Sequence, residues 1–423
     1  MKKKLLGALL VGGLAASLVG CSGGGTGASG ASGTSGKTLE VWDMQQSSKD
    51  INAAYAPLVK KFESDNPGTT VKVTAFPYEQ YRDKVLVAMK GGTGPDVLAL
   101  DQVWMAEFAA GGLISPLDDQ LASSKAIKQS DFFTGAWASN QYQGKTYGVP
   151  LNADVWEQMY YNADMFRAAG LNPDAPPTTW DGWKQAADKL TKAPDQFGMS
   201  LIGCKGETSV VLTDSLLFSN GGKVVDGDHA AFNSPEDVQA LDQYKKLAAD
   251  APAGTSGTCE QDAVGRFTSG KAAMLLDGSW QQDTMKTAAK FDWRIAVPPA
   301  PDGKKFVGAL GGFNLAMNAK TKSSDLAFKW MEFMSQPDNQ TAVNSLIPAL
   351  KDVGTKFVQA NRKQPDVVLN TLNGGAPRPL SPAYPAISTA EQNAIQAIIG
   401  GKSATDAAKD ANTAIDQALQ DLK

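Results

Sequence analysis

The chain has 423 residues, of which 42% are hydrophobic and 20% charged, a composition that suits two or three folded domains and excludes wholesale disorder. Lys and Arg total 40 against 44 Asp and Glu, for a net charge of −4, and no basic block follows residue 4, so a nucleic-acid footprint is excluded. His229 is the only histidine, which excludes His-rich metal sites and any mechanism needing two imidazoles, and speaks against a Ser-His-Asp triad.

Residues 1–20 read as a lipoprotein signal peptide. Lys2, Lys3 and Lys4 form a basic start, and the apolar run that follows, to Leu18, is too short and too rich in glycine to span a membrane well. It ends in Leu18-Val19-Gly20-Cys21, which resembles a bacterial lipobox and predicts lipidation of Cys21. More than one acyl chain on that residue would meet the requirement for stable anchoring. Residues 21–36 then form a Gly/Ser tether, and a folded body begins near Lys37. These features place the body on the outer face of the cell membrane, attached by its lipid alone. In such an oxidising compartment the remaining pair, Cys204 and Cys259, predicts a disulfide, the alternative being two separate buried thiols.

In the body, 38–42 reads as a strand, the apolar spacing from Ile51 to Phe62 as a helix stopped by Asn66-Pro67-Gly68, and 71–76 as a second strand. A helix over 81–90 and a short apolar strand over 96–100 complete a β-α-β-α-β unit, hence a parallel sheet with helices on its faces. Ligands in such sheets sit beyond the C-terminal strand ends, which directs attention to 43–46, 77–79 and 101–104. Further on, 144–150 reads as a hairpin edge entering a strand, 159–166 as a strand passing into a helix, and Thr179 as the N-cap of a helix through Leu190. Strands are expected at 197–202, 274–276 and 295–297, helices at 237–248 and 326–334, and a mostly helical end over 390–422.

Gly265 to Lys271 imitates a phosphate-binding loop, but Ala272 stands where a magnesium-binding hydroxyl is needed and no strand precedes it, so it reads as a helix ending at a glycine. His229 lies in a polar turn. Tryptophan is more informative. Trp183 and Trp330 fit helical core stripes, whereas Trp42, Trp104, Trp156 and Trp280 sit at strand ends or in loops beside Asp, Glu or Gln. An aromatic plate can stack on the C–H face of a sugar while polar side chains take its hydroxyls, and core packing explains any single one of these tryptophans equally well.

Several stretches, in order, resemble the extracellular solute-binding proteins of the maltose-binding type. They are Phe62 to Gly68 with Val71-Lys72-Val73, Gly91 to Val97, Gly111 to Asp118, Gly144 to Pro150, Met159 to Asn162 leading to Pro177-Thr178-Thr179-Trp180, Phe267 to Met274 running into Gly278-Ser279-Trp280, and Gly311 to Asn314 with Ala327 to Trp330. The resemblance implies an α/β fold of two lobes of the periplasmic-binding-protein type II, with a hinge crossed three times and a ligand cleft between the lobes. It places the crossings near Pro150-Leu151, Val297 and Pro348, giving one lobe of 37–150 plus 298–348 and another of 151–297 plus 349–423. It further implies a non-catalytic, monomeric protein with no cofactor and no metal, and two partners: a carbohydrate ligand and the transmembrane permease of an ABC importer. The site residues it suggests are Trp42, Glu79, Asp101, Asp154, Trp156, Glu207, Trp280, Asn314, Arg378 and Tyr384, with Trp280 matching the family's stacking tryptophan after Gly-Ser. Two alternatives stay open: a secreted glycoside-processing enzyme using two carboxylates, and a binding protein for a polyol or peptide.

Overall fold

A computed structural model describes residues 37–44, 50–155 and 157–423; Cys21, where the sequence predicts a lipid, the predicted tether and Trp156 lie outside them. The strands Lys37–Met44, Thr69–Phe76 and Val97–Asp101 run parallel because helices return the chain between them. The first helix, Ile51–Asp65, buries Ile51, Tyr55, Leu58 and Phe62 at helical spacing, and the second, Tyr78–Lys90, buries Tyr81, Val85 and Met89. Asp50 caps the first by accepting from the Ala53 amide at 3.0 Å. The sheet order is Thr69–Phe76, Lys37–Met44, Val97–Asp101, Phe313–Met317, Gly148–Pro150, so two later strands complete it: Phe313–Met317 runs antiparallel to both of its neighbours, and Gly148–Pro150 runs with the first three.

A second sheet carries Trp293–Ala296, Gln158–Asn162, Ala272–Asp277 and Phe197–Ser200 in that order. Its Ala272–Asp277 strand is buried along its whole length, which accounts for its unbroken apolar run. Around it pack the helices Trp180–Leu190, Glu207–Ser219, Pro235–Ala248, Glu260–Thr268, Tyr384–Ile399 and Ala404–Gln420. Thr179 caps the first of these through the Gly182 amide at 3.2 Å. The imitation phosphate loop is the end of Glu260–Thr268, where Gly270 takes φ +72° as a left-handed terminator. Cys204 and Cys259 are disulfide-bonded, with Cα atoms 5.1 Å apart, and join the loop after Phe197–Ser200 to the start of Glu260–Thr268.

A third, small sheet holds Ile347–Pro348, Asn152–Val155, Ala309–Gly311 and Ala376–Pro377. It lies where the chain changes hydrophobic core. One core gathers residues from Leu39 to Leu151, from Phe313 to Ala349, and Tyr384. The other gathers residues from Ala153 to Leu310 and from Val358 to Leu419, together with Ala136 and Ile347. The second passage therefore falls between Leu310 and Phe313, beyond Val297 where the resemblance placed it. Hydrogen bonds explain the delay: the Ala300 amide reaches Thr178 O at 3.1 Å, and the Val307 and Ala309 amides reach Ser219 and Ser215 Oγ at 2.8 and 2.7 Å, so this segment stays on the second core.

Gly312 makes that passage possible. It has φ +135°, and a Cβ there would stand 2.5 Å from Asn152 O and 2.8 Å from Gln102 Nε2. Strain and overpacking together make Gly312→Ala destabilising by about 2–4 kcal/mol, read as a lowered urea midpoint with an unchanged slope.

Candidate functional site

Pairing of Ala376–Pro377 with Ala309–Leu310 delivers the next residue, Arg378, to the place where the two cores meet. Its side chain has no accessible surface. Nη2 donates to Asp101 Oδ1 at 3.2 Å, Nη1 to the Glu207 carboxylate and to the Tyr384 hydroxyl at 3.2 Å, and Nε to Leu310 O at 3.4 Å. Asp101 ends a strand of the first sheet, and its carboxylate also accepts from the Val103 amide at 3.2 Å and the Tyr78 hydroxyl at 2.8 Å. Glu207 opens a helix of the second lobe and accepts from the Tyr384 hydroxyl and from Ser388 Oγ, the latter at 2.8 Å. Tyr384 and Ser388 reach it together because they lie four residues apart on one helix face. One guanidinium thus holds a carboxylate from each core.

Burial pushes the Asp101 carboxyl up, and Arg378 pulls it back down. The Tyr78 and Tyr384 phenols are driven well above their usual range by burial, with Asp101 acting in the same sense on Tyr78 and Glu207 on Tyr384. They therefore stay neutral and serve as donors. Behind Tyr78 the buried Trp104 ring stacks at 5.2 Å, closing this wall with aromatic carbon.

A second constellation grows from the end of Ala272–Asp277. The turn Gly278-Ser279-Trp280 sets the Trp280 ring over Gly278 so closely that a Cβ there would lie 1.9 Å from it, which restricts position 278 to glycine. Trp280 is half-buried and packs against the first core, although the second sheet carries it. Its Nε1 donates to Glu260 Oε1 at 3.1 Å, and Gln281 Nε2 donates to the same oxygen at 2.7 Å. Ser279 Oγ donates to Asp154 Oδ2 at 2.9 Å. Burial pushes the Asp154 carboxyl up to about 7, with Arg362 and Ser279 opposing it.

Four of the residues singled out in the sequence, Asp101, Glu207, Arg378 and Tyr384, are thus brought into one network. Asp154 and Trp280 meet through Ser279. Trp42 lies half-buried at the first sheet, its ring edge on Phe76 at 5.0 Å. Glu79 is exposed in the first turn of Tyr78–Lys90. Asn314 is buried in its strand, where Nδ2 donates to Ser139 Oγ at 3.0 Å, so it belongs to the packing of the first sheet against the helix Thr134–Ala138. Tyr78, Ser388 and Glu260 emerge only from the structure. Tyr78 stands in a strand-end segment already marked by the β-α-β pattern, whereas nothing local marks Ser388 or Glu260. Among the described residues no group of three or more His, Cys, Asp or Glu is arranged to hold a metal.

Two further carboxyls, Asp214 and Glu391, lie buried beside this network, and none of their four oxygens has a donor. Burial raises both, Asp214 to about 7, and the nearby Asp214 adds to the rise at Glu391 while its hydrogen bond with Glu391 holds Asp214 down, so a shared proton is what satisfies the pair.

Comparison with known proteins agrees with this architecture. Two-lobed α/β proteins that hold a solute between their lobes form the structural class. A solute-binding protein of an ABC transporter from Thermotoga lettingae, solved with α-D-tagatose, superposes with a TM-score of 0.79 at 28% identity, covering 90% of this chain and all (100%) of that one. The GacH receptor of Streptomyces glaucescens, solved unliganded and with acarbose, gives 0.77 at 25% identity, covering 92% and 99%. A curated relative from Brucella abortus that carries a binding-protein name is 26% identical over 377 residues, covering 85% of this chain and 88% of its own. The family model for bacterial extracellular solute-binding proteins matches residues 46–341, and the chain belongs to that family. It is a binding protein, not an enzyme, and works in the extracellular or periplasmic space.

Replacing Arg378 by Met removes the guanidinium paired with the buried Asp101 and leaves Glu207 with hydroxyl donors from Tyr384 and Ser388. Arg378→Met is expected to cost about 3–5 kcal/mol at neutral pH, and less in acid where the carboxyls are protonated, by denaturant titration at both pH values. Asp214→Asn is expected to act the other way. Because the native carboxyl sits above its unfolded value, its contribution is complete in acid and is lost as pH rises through about 7. The variant should therefore gain melting temperature over the wild type at pH 8 and little at pH 4.

Proposed function

We propose that this protein captures a mono- or oligosaccharide between its lobes and presents it to the membrane permease of an ABC importer, while a lipid on Cys21 holds it at the outer face of the cell membrane. Trp280 carries the reading. It is a half-buried aromatic plate, borne by one lobe and packed against the other, with its indole nitrogen tied back by Glu260. A ring so placed offers a flat apolar face to the C–H side of a sugar, and closing the lobes around the solute completes the contact. Trp42 on the first sheet supplies a second plate, with Trp156 as a third. Glu79 and Asp154 supply hydroxyl partners. The network of Asp101, Glu207, Arg378 and Tyr384 forms the back wall: its charges are already matched to each other, so it shapes the site and joins the lobes. The tagatose and acarbose complexes of the two structural relatives support a saccharide as the solute class. Residues 37–151 with 312–349, and 152–311 with 350–423, are the lobes that move, and the chain acts as a monomer.

A thermal-shift screen of the protein against maltose, D-tagatose, ribitol and acarbose tests this. A saccharide present at one hundred times its Kd should add about 2.7 kcal/mol of stability and raise the melting point by a few degrees, and the sugar should be recovered unchanged. Trp280→Ala should weaken that binding at least about tenfold with the fold retained. Cys21→Ser should move the protein from the membrane fraction to the soluble one. No shift with any of the four compounds would remove the basis for the stacking role.

A further inference from the structure

The Trp280 plate is itself held by something, and the holding group is anchored covalently. Glu260 is the first residue of the helix Glu260–Thr268 and directly follows Cys259. Its Oε1 accepts from Trp280 Nε1 at 3.1 Å and Gln281 Nε2 at 2.7 Å, and its Oε2 accepts from Thr208 Oγ1 at 3.4 Å. Thr208 in turn follows Glu207 at the start of the other helix that faces the site. The Cys204–Cys259 bridge joins the segments leading into these two helix starts. The join is reinforced by the Gly203 and Cys204 amides, which both donate to Thr258 O at 3.0 Å, and by Gln396 Nε2, which donates to Ser256 O at 2.9 Å. A carboxylate on a free loop would lose rotamer and backbone entropy each time it fixed the indole; one next to a cross-link has lost most of it already.

From this we infer that Glu260 is a positioning residue for the solute site: held by the Cys204–Cys259 bridge, it fixes the orientation of the Trp280 ring, and so sets saccharide affinity without touching the saccharide. The inference rests on the stacking role given to Trp280 above, and the test separates the two. Tryptophan is replaced biosynthetically by 5-fluorotryptophan in the full chain, and the Trp280 resonance is assigned by its loss in Trp280→Phe. In the absence of any sugar, Glu260→Ala is expected to shift or broaden that resonance, Glu260→Gln to leave it close to wild type because an acceptor oxygen remains, and the double replacement Cys204→Ser, Cys259→Ser to move it in the same direction as Glu260→Ala.

Affinity is then measured by calorimetry with each of maltose, D-tagatose, ribitol and acarbose that binds the wild type. Glu260→Ala should lose at least about tenfold, and Glu260→Gln should recover most of that loss. A Trp280 resonance unmoved in Glu260→Ala, or equal losses in the Ala and Gln variants, would overturn the inference. If no saccharide binds the wild type, the binding reading falls, while the fluorine resonance alone still decides whether Glu260 positions the ring.

Discussion

Arg378 has no accessible surface, yet it is the residue through which the two halves of the molecule are charged against each other. Taking a guanidinium out of water is costly, and only close partners on both sides offset the loss. Asp101 comes from the end of a strand in one sheet, Glu207 from the start of a helix packed on the other, and Tyr384 and Ser388 from a helix near the end of the chain. Those partners fix where each element must end. The first sheet has to deliver a carboxylate at its C-terminal edge, and the last third of the chain has to return to the small sheet between the cores. The chain changes core at that sheet, so the bridge lies where the proposed closing motion would turn.

Much of this was legible before any coordinates. The β-α-β-α-β opening follows from apolar spacing and from turn residues, and its parallel sheet follows from the helices between the strands. The segments just past those strands held Asp101 and Tyr78. What spacing could not supply was the return of Phe313–Met317 and Gly148–Pro150 to the same sheet, because strand order is set by contacts between residues far apart in sequence. The same limit hid the partner of Arg378 and the pairing of Ser388 with Glu207. It also hid the second passage between cores: the resemblance gave residues 298–309 to the first lobe, but Ser215 and Ser219 on a buried helix hold the Val307 and Ala309 amides to the second. Asn314, which follows two glycines as a cleft residue would, faces a helix inside the first lobe, since strand alternation there is set by pairing with Leu100 and Pro150.

In the second lobe, the Trp280 ring proposed above as the stacking plate is held by a chain of neighbours. Gly278 lets the Trp280 ring lie flat on the chain, Glu260 fixes its nitrogen, and the disulfide fixes the segment that carries Glu260. In the proposed site, each step would reduce the freedom left to lose when a solute arrives, which is how preorganisation raises affinity without new contacts. The buried Asp214 and Glu391 carboxyls, raised by burial and sharing a proton, cost native stability as the pH rises.

The measurement closest to the central claim is the radius of gyration in solution, by small-angle X-ray scattering, with and without a saccharide found to bind. Capture by lobe closure predicts a smaller radius on binding, with the sugar chemically unchanged afterwards. A radius that does not change at saturating saccharide, or a sugar recovered in altered form, would contradict it.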